Sequence, residues 1–240
     1  MEITNLGNLI MNTYLIRTEN CCILIDTGYE GQFSGFYNKL ASRNISLNEI
    51  EYVFLTHAHD DHAGFLNDIL QHTNAKVIMH YKAIEGLRRG QNSFDGSCSG
   101  KLALLFCKIM GLFGKGEHRF PQIKKCFEER CILIDNDNKK DIESKIHGII
   151  IETPGHTSCS ISLLMDDGTL FCGDAAMNGL PSIQRITIWI NNLYEFHKSW
   201  ELMIDANPKI IYPAHGLPFP VSDLKKFISK IEPRKLYSLK

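Results

Sequence analysis

Apolar and polar residues alternate along most of the chain in short runs, which predict strands separated by amphipathic helices. Runs rich in β-branched and large aliphatic side chains predict strands at 12–16, 22–25, 52–55, 76–79, 131–134, 147–152, 160–164, 169–171 and 210–212. Apolar residues at helical spacing predict helices at 33–43, 65–71, 81–88, 192–205 and 221–231. The chain is therefore expected to fold as one domain, residues 1–240, built from both kinds of element.

Residues 90–130 break this alternation and are interpreted as an insertion that forms a cap. A loop rich in glycine, serine and asparagine covers 90–100, and residues 102–113 are apolar on nearly every face of a predicted helix. A helix of this kind must be covered by something. One hypothesis is a cap that lines a pocket for an apolar, acyl-bearing substrate, with Phe106 and Met110 inside it. The alternatives are a homodimer interface or simple core packing.

Bulk composition excludes few function classes. The formal charge is −1, from 26 basic and 27 acidic residues, so no global field favours nucleic acid or an anionic membrane. No apolar run reaches the roughly 20 residues that a membrane span needs. The eight cysteines are scattered without a C-x-x-C pair, and the start of the chain lacks a signal-peptide pattern. These features predict reduced thiols and a cytoplasmic protein.

The densest cluster of chemically active side chains is at 56–64, Thr-His-Ala-His-Asp-Asp-His-Ala-Gly, directly after the apolar run 52–55. It places three imidazoles and two carboxylates within six residues. Donors at this density are explained by a bound cation, and imidazole with carboxylate suits zinc, iron or manganese. A solvated polar loop is the alternative explanation.

Three later segments share one design, in which an apolar strand ends in a turn of small residues that presents a ligand-type side chain. They are 150–157, which carries His156, 170–174, which ends at Asp174, and 211–216, which carries His215. Taken alone, each is more typical of a surface turn. In this order after His-x-His-x-Asp-His, they together predict a metal site at strand ends.

The motifs from Asp26 to His215 resemble the metallo-β-lactamase-fold superfamily. The resemblance implies an α/β fold of four layers, an αβ/βα sandwich of two facing mixed sheets with helices outside. It also implies two divalent metal ions, most naturally zinc, with iron or manganese as alternatives. His57, His59 and His156 would bind the first ion, and Asp61, His62 and His215 would bind the second. Asp174 would bridge the two ions.

The same resemblance assigns two further carboxylates. Asp26 would orient a ligand through a hydrogen bond, a role on which ligand geometry depends. Asp60 matches no ligand position and is interpreted as a solvated or loop-capping residue. The implied chemistry is hydrolysis of a small-molecule ester, thioester or lactone by a metal-bridging hydroxide, with Asp61 and Asp174 as the catalytic carboxylates.

Several branches of the superfamily fit the sequence poorly. Glyoxalase II enzymes add a helical glutathione-binding domain, but only 25 residues follow His215. Lactonases share this ligand set but carry a tyrosine three residues after the bridging aspartate, where Met177 stands here. True β-lactamases usually lack the bridging aspartate. Flavin-diiron oxidoreductases have the pattern His-x-Glu-x-Asp-His, with glutamate where His59 stands here, and an attached flavodoxin domain.

Three alternatives to ester chemistry stay open. Persulfide dioxygenases share the His-x-His-x-Asp-His stretch but use a single iron. A phosphodiesterase or nuclease of the same fold is the second, since residues 85–130 carry nine basic against five acidic residues, although a charge run is usually only a solvated face. The third is a metal-bearing sensor or binding protein that has lost turnover. Nucleic acid is not the expected partner.

Substrate contacts are less clearly marked than metal ligands. Met177 follows the bridging carboxylate closely, and Asn178 is a candidate donor to an oxyanion. Tyr81, next to His80 at the end of the strand 76–79, is a third candidate for the pocket. The expected partner is a small molecule, with a homodimer through the insertion as a further prediction.

Overall fold

The structure is a computed structural model that describes residues 1–113 and 116–239. The chain divides into two compact units, a first unit of residues 1–92 and 119–148 and a second unit of residues 93–118 and 149–240. The predicted insertion therefore does not form a separate body, because residues 93–118 belong to the second unit and residues 119–130 to the first. That the chain is one domain stays a prediction.

The strands lie close to the predicted runs. They are β1 (Glu2–Asn5), β2 (Tyr14–Arg17), β3 (Cys22–Ile25), β4 (Tyr52–Phe54), β5 (Lys76–His80), β6 (Ser97–Cys98), β7 (Cys131–Ile134), β8 (Gly148–Glu152), β9 (Ile161–Met165), β10 (Thr169–Gly173), β11 (Trp189–Ile190) and β12 (Ile210–Pro213). The two strands predicted at 22–25 and 131–134 have the predicted bounds. Strand β1 is missed because it carries a single aliphatic residue, Ile3, and is half exposed.

The helices are α1 (Phe33–Ala41), α2 (Asp60–Ala63), α3 (Leu66–His72), α4 (Ala83–Arg89), α5 (Lys101–Leu112), α6 (Lys125–Glu128), α7 (Lys139–Ile146), α8 (Leu193–Asp205) and α9 (Val221–Phe227). The helix predicted at 221–231 ends at Phe227 and continues as a single 3-10 turn. Helix α7 is not predicted from the sequence because its only apolar residues are Ile142 and Ile146, which lie one turn apart. Both are buried in the structure.

A six-stranded mixed sheet forms the centre of the first unit, in the order β1-β2-β3-β4-β5-β7. Strands β3, β4, β5 and β7 run parallel, whereas β1 and β2 are antiparallel additions at one edge. Parallel strands bring their carboxyl ends to the same edge of a sheet. Asp26, which follows β3, and the histidine cluster, which follows β4, consequently emerge side by side.

A four-stranded sheet in the order β12-β10-β9-β8 forms the second unit, together with a two-stranded sheet of β6 and β11. Strands β10 and β12 are parallel, with Gly173 opposite Pro213. The residues that follow them, Asp174 and His215, therefore leave the sheet at the same edge. Trp200 and Phe196 of α8 are fully buried in the core beside this sheet.

Both units combine sheets with helices, so the predicted mixed α/β class is confirmed. No helix among the described residues combines the length and apolar character that crossing a membrane requires. All eight cysteines are free thiols. Burial raises the pKa of the Cys22 thiol to about 12, so this group stays protonated at neutral pH.

Helix α5, the apolar segment of the insertion, is not packed in a core. Ala103 is its one buried residue, and Leu105 and Leu112 are 56% and 86% exposed. Core packing is therefore excluded as the explanation of its apolar sequence. Of the nine basic residues between 85 and 130, Lys115 lies outside the described residues, and Arg88 forms an ion pair with Glu128 at 2.7 Å.

Candidate metal centre

The first unit gathers three imidazoles at the carboxyl end of β4. His57, His59 and His62 are all buried, and the ring of His57 lies 4.4 Å from that of His59 and 3.9 Å from that of His62, between centroids. Asp61 and His62 lie on the short helix α2 instead of in a loop. The Oδ1 atom of Asp61 lies 3.6 Å from Nε2 of His62.

The buried carboxylate of Asp26 organises these rings. Its Oδ1 accepts the backbone N–H of Thr56, and its Oδ2 accepts the Thr56 hydroxyl, both at 2.8 Å. Oδ2 also accepts Nδ1–H of His62 at 2.8 Å. The predicted orienting role of Asp26 matches this arrangement, since a carboxylate acceptor fixes both the tautomer and the direction of an imidazole.

Thr56 extends the same control to His57. Its hydroxyl has one proton, which goes to Asp26, so Nδ1 of His57, 3.1 Å from Thr56 Oγ1, must be the donor in that contact. Both His57 and His62 then carry the proton on Nδ1 and offer the lone pair of Nε2. This orienting role of Thr56 is not predicted from the sequence, where its only sign is a threonine two residues after β4.

Asp60 is bonded within the first unit. Its backbone N–H donates to Oδ1 of Asn92 at 2.8 Å, and its Oδ1 accepts from Nδ2 of Asn92 at 2.7 Å. This two-point contact holds the first residue of α2, the helix that carries Asp61 and His62. The interpretation of Asp60 as a solvated or loop-capping carboxylate stays a prediction. Asn92 is a supporting residue that was not predicted from the sequence.

The second unit places Asp174 between two histidines. Its Oδ2 lies 3.6 Å from Nε2 of His156, and its Oδ1 lies 3.5 Å from Nε2 of His215. These separations are too long for hydrogen bonds. They suit ligand atoms around a common ion, because each zinc–ligand bond is about 2 Å long. The two carboxylate oxygens face different histidines, which is the arrangement expected of a bridging ligand.

Hydrogen bonds hold His156 and the residue after Asp174 in place. Nδ1–H of His156 donates to the carbonyl of Trp189 at 2.8 Å, which leaves the lone pair on Nε2. The indole N–H of Trp200 donates at 2.8 Å to the carbonyl of Ala175, the residue after Asp174. The segment that carries Asp174 is therefore tied directly to the hydrophobic core of the second unit.

Gly155 makes the turn before His156 sterically demanding. Its φ is +129°, and a Cβ atom there would lie 2.4 Å from the backbone N and Cα of Phe196. We predict that Gly155→Ala destabilises the protein by about 2–4 kcal/mol and lowers Tm by roughly 5–10 °C, measured by thermal unfolding.

Gly35→Ala is the matched control for this prediction. Gly35 lies in α1, and a Cβ there meets nothing within 4 Å. The control is expected to be neutral or stabilising by about 0.5–1 kcal/mol, since alanine favours a helix. Equal melting temperatures for the two variants would refute the assigned strain.

The predicted substrate contacts lie in several environments. Met177 is 5% exposed, and its sulfur accepts the Thr187 hydroxyl at 3.5 Å. Asn178 braces the loop after β12, because its backbone N–H donates to the carbonyl of His215 at 2.9 Å and its Nδ2 donates to the carbonyl of Leu217 at 2.7 Å. Both residues are thus engaged within the second unit.

The other predicted contacts differ in exposure. Tyr81 is 47% exposed and stacks on the ring of His80, at 4.5 Å between centroids. On α5, Phe106 is exposed and Met110 half-buried. Their part in a substrate pocket stays a prediction.

Sequence comparison finds a match between residues 6–215 and a family model described as the metallo-beta-lactamase superfamily. The metallo-beta-lactamase fold-containing protein ST1585 of Sulfurisphaera tokodaii is 29% identical over 234 residues, which cover 93% of this chain and 80% of that protein. A beta-lactamase-like protein 2 homolog of Caenorhabditis elegans is also 29% identical, over 92% of this chain, but the match spans only 59% of the worm protein.

Structure comparison shows the same fold. A Cronobacter sakazakii metallo-beta-lactamase with a HARLDQ motif matches with a TM-score of 0.66 and 17% identity, covering 96% of this chain and 88% of that one. At this identity the likeness concerns the fold and not the substrate.

Proposed function

The chain belongs to the metallo-β-lactamase superfamily, and from that premise we propose that it is a metal-dependent hydrolase acting on a small-molecule ester, thioester or lactone. The superfamily consists largely of metallo-hydrolases. The observation that carries the proposal is the carboxylate of Asp174, whose two oxygens lie 3.5 and 3.6 Å from different imidazoles. A carboxylate that faces two ligands in this way is suited to a pair of ions.

The donor set fits divalent metal. The proposed ligands are five imidazoles and two carboxylates, His57, His59, Asp61, His62, His156, Asp174 and His215. Imidazole and carboxylate without thiolate suit zinc, iron and manganese, and zinc is the ion we propose. In His57, His62 and His156 the Nδ1 proton is held by a protein acceptor, so each offers Nε2 as the donor atom.

Two bound ions would supply a water of lowered pKa and a positive field for the developing oxyanion. The chain's own residues provide position and proton transfer. Asp26 and Thr56 hold two imidazoles in the ligand tautomer, and Asp174 lies between His156 and His215. The side chain of Asp61 is 14% exposed, so its carboxylate is accessible to hold a proton and pass it to the leaving group.

A hydrolase panel tests this function. We expect zinc-loaded protein to cleave p-nitrophenyl esters, an acyl thioester or an acyl lactone at least about tenfold faster than bis-p-nitrophenyl phosphate, with loss of turnover on chelation and recovery with zinc. His57→Ala should abolish the chelator-sensitive rate. His197→Ala, which changes a histidine on α8 outside the proposed ligand set, should retain it.

Two results would overturn the proposal. Turnover confined to the phosphodiester, with steep salt dependence on nucleic acid, would indicate a phosphodiesterase. Oxygen uptake with a persulfide, together with one iron per chain, would indicate a dioxygenase.

A further inference from the structure

Helix α5 exposes a continuous apolar surface. Its outward side chains have exposed fractions between 37% and 86%, and together with the residue that ends the helix they form what we call the apolar stripe: Leu102, Leu105, Phe106, Ile109, Leu112 and Phe113. Surface hydrophobic residues are normally scattered singly. Five in one helix, with a sixth at its end, indicate a surface that meets an apolar environment.

The positions of these residues define one face of the helix. At about 100° per residue, the stripe occupies a single sector roughly 120° wide. Ala103 is buried, and Cys107 and Met110 are half-buried on the other side. Burial and the nearby Cys98 thiol of β6 raise the pKa of the Cys107 thiol to about 12, so this inner side of the helix faces β6. The helix is thus fixed with its stripe outward.

The charged residues of helix α5 have one sign. Lys101 and Lys108 lie next to each other on the helical wheel, at one border of the stripe, and both are exposed. Helix α5 contains these two lysines and no aspartate or glutamate. A second copy of α5 would bring lysine against lysine with no acidic partner from either helix. An anionic surface instead satisfies the lysines and the apolar side chains together.

We propose that the apolar stripe of α5 docks the protein on an anionic lipid surface. The helix of 12 residues, about 18 Å long, lies in the plane of the interface. Its apolar sector enters the boundary between headgroups and acyl chains, and Lys101 and Lys108 contact lipid phosphates. This binding goes beyond the proposed hydrolase activity, because it uses none of the metal ligands and requires no membrane-spanning segment.

Vesicle co-sedimentation of the full chain tests the proposal. Wild-type protein is expected to bind vesicles of phosphatidylcholine and phosphatidylglycerol in equal parts at least about tenfold more strongly than phosphatidylcholine alone, and salt should weaken the binding. Leu105→Glu with Leu112→Glu should lower the partition coefficient at least about tenfold. Lys101→Gln with Lys108→Gln should lower it about tenfold on anionic vesicles only.

Leu202→Glu is the matched control, because Leu202 is a leucine of α8 that is 50% exposed and lies outside the stripe. It should bind vesicles like the wild type. Circular dichroism and bound metal check that each variant is folded, and Leu112→Gln, at the last residue of α5, replaces the double variant if that variant does not fold.

Equal binding to both vesicle types, or no binding, would overturn the proposal. So would a wild-type dimer in light scattering that Leu105→Glu with Leu112→Glu converts to a monomer, since the stripe would then be a contact between two copies. None of these outcomes bears on the hydrolase panel, so the two proposals fail independently.

Discussion

Asp174→Ala is expected to lose at least one of the two proposed metal ions and to lower turnover by at least about hundredfold. The variant removes the carboxylate placed between His156 and His215, whose Nε2 atoms lie 3.6 and 3.5 Å from its two oxygens. Without that carboxylate, two cations would face each other without the negative charge that offsets their repulsion. Elemental analysis of purified protein and the hydrolase panel measure the two effects.

Asp205→Ala is the control for a lost carboxylate, because Asp205 is an exposed residue at the end of α8. It should keep the wild-type metal content and rate. Asp174→Asn should fall between the two, since it keeps the shape but not the charge of the bridge. Wild-type metal stoichiometry in Asp174→Ala would refute the bridging assignment.

Asp26→Ala is expected to weaken metal binding by about 10- to 100-fold although the residue is not a proposed ligand. Its carboxylate accepts three hydrogen bonds, two from Thr56 and one from His62, in a site where Asp26 is 1% exposed. Removing it leaves buried donors without their acceptor and frees His62 to change tautomer. Competition with a chromogenic chelator measures the affinity.

Thr56→Val separates the orientation of His57 from the orientation of His62. It removes the acceptor of His57 Nδ1–H but leaves the contact between Asp26 and His62, so a smaller loss of affinity is expected than for Asp26→Ala. If Asp26→Ala binds zinc as tightly as the wild type, the orienting role is wrong.

The elements that carry ligands are well predicted because they depend on local rules. Strand β3 is a continuous aliphatic run that ends in Asp26-Thr27-Gly28, and its bounds are as predicted. Strands β10 and β12 are likewise short apolar runs that end in glycine- or proline-containing turns. A buried strand has to be apolar, and a turn that presents a ligand requires small residues, so both leave a clear pattern.

What supports the ligands is less visible in the sequence. Asn92 bonds Asp60 across 32 positions, and Thr56 bonds Asp26 across 30. Such pairs depend on tertiary structure that brings distant segments together, and no spacing rule marks them. The helical start at Asp60 is hidden for a similar reason, since a helix of four residues is too short for a periodic pattern.

For helix α5, the sequence predicts the element but not what covers it. Its apolar composition predicts a helix that must be covered by something, but composition cannot tell burial within the chain from burial against something else. The structure separates the two, because the residues that share one side of the helical wheel are the exposed ones. The lysines at the border are the reason for proposing a lipid surface and not a second copy.

The most direct test of the proposed two-metal site is the number of metal ions that the chain needs for turnover. Metal-free protein is titrated with zinc while hydrolysis of the best ester or thioester is followed, and bound zinc is measured at each point by mass spectrometry of the elements. A two-metal site predicts that the rate reaches its plateau only when two zinc ions are bound per chain. A plateau at one ion, or turnover by metal-free protein, would contradict it.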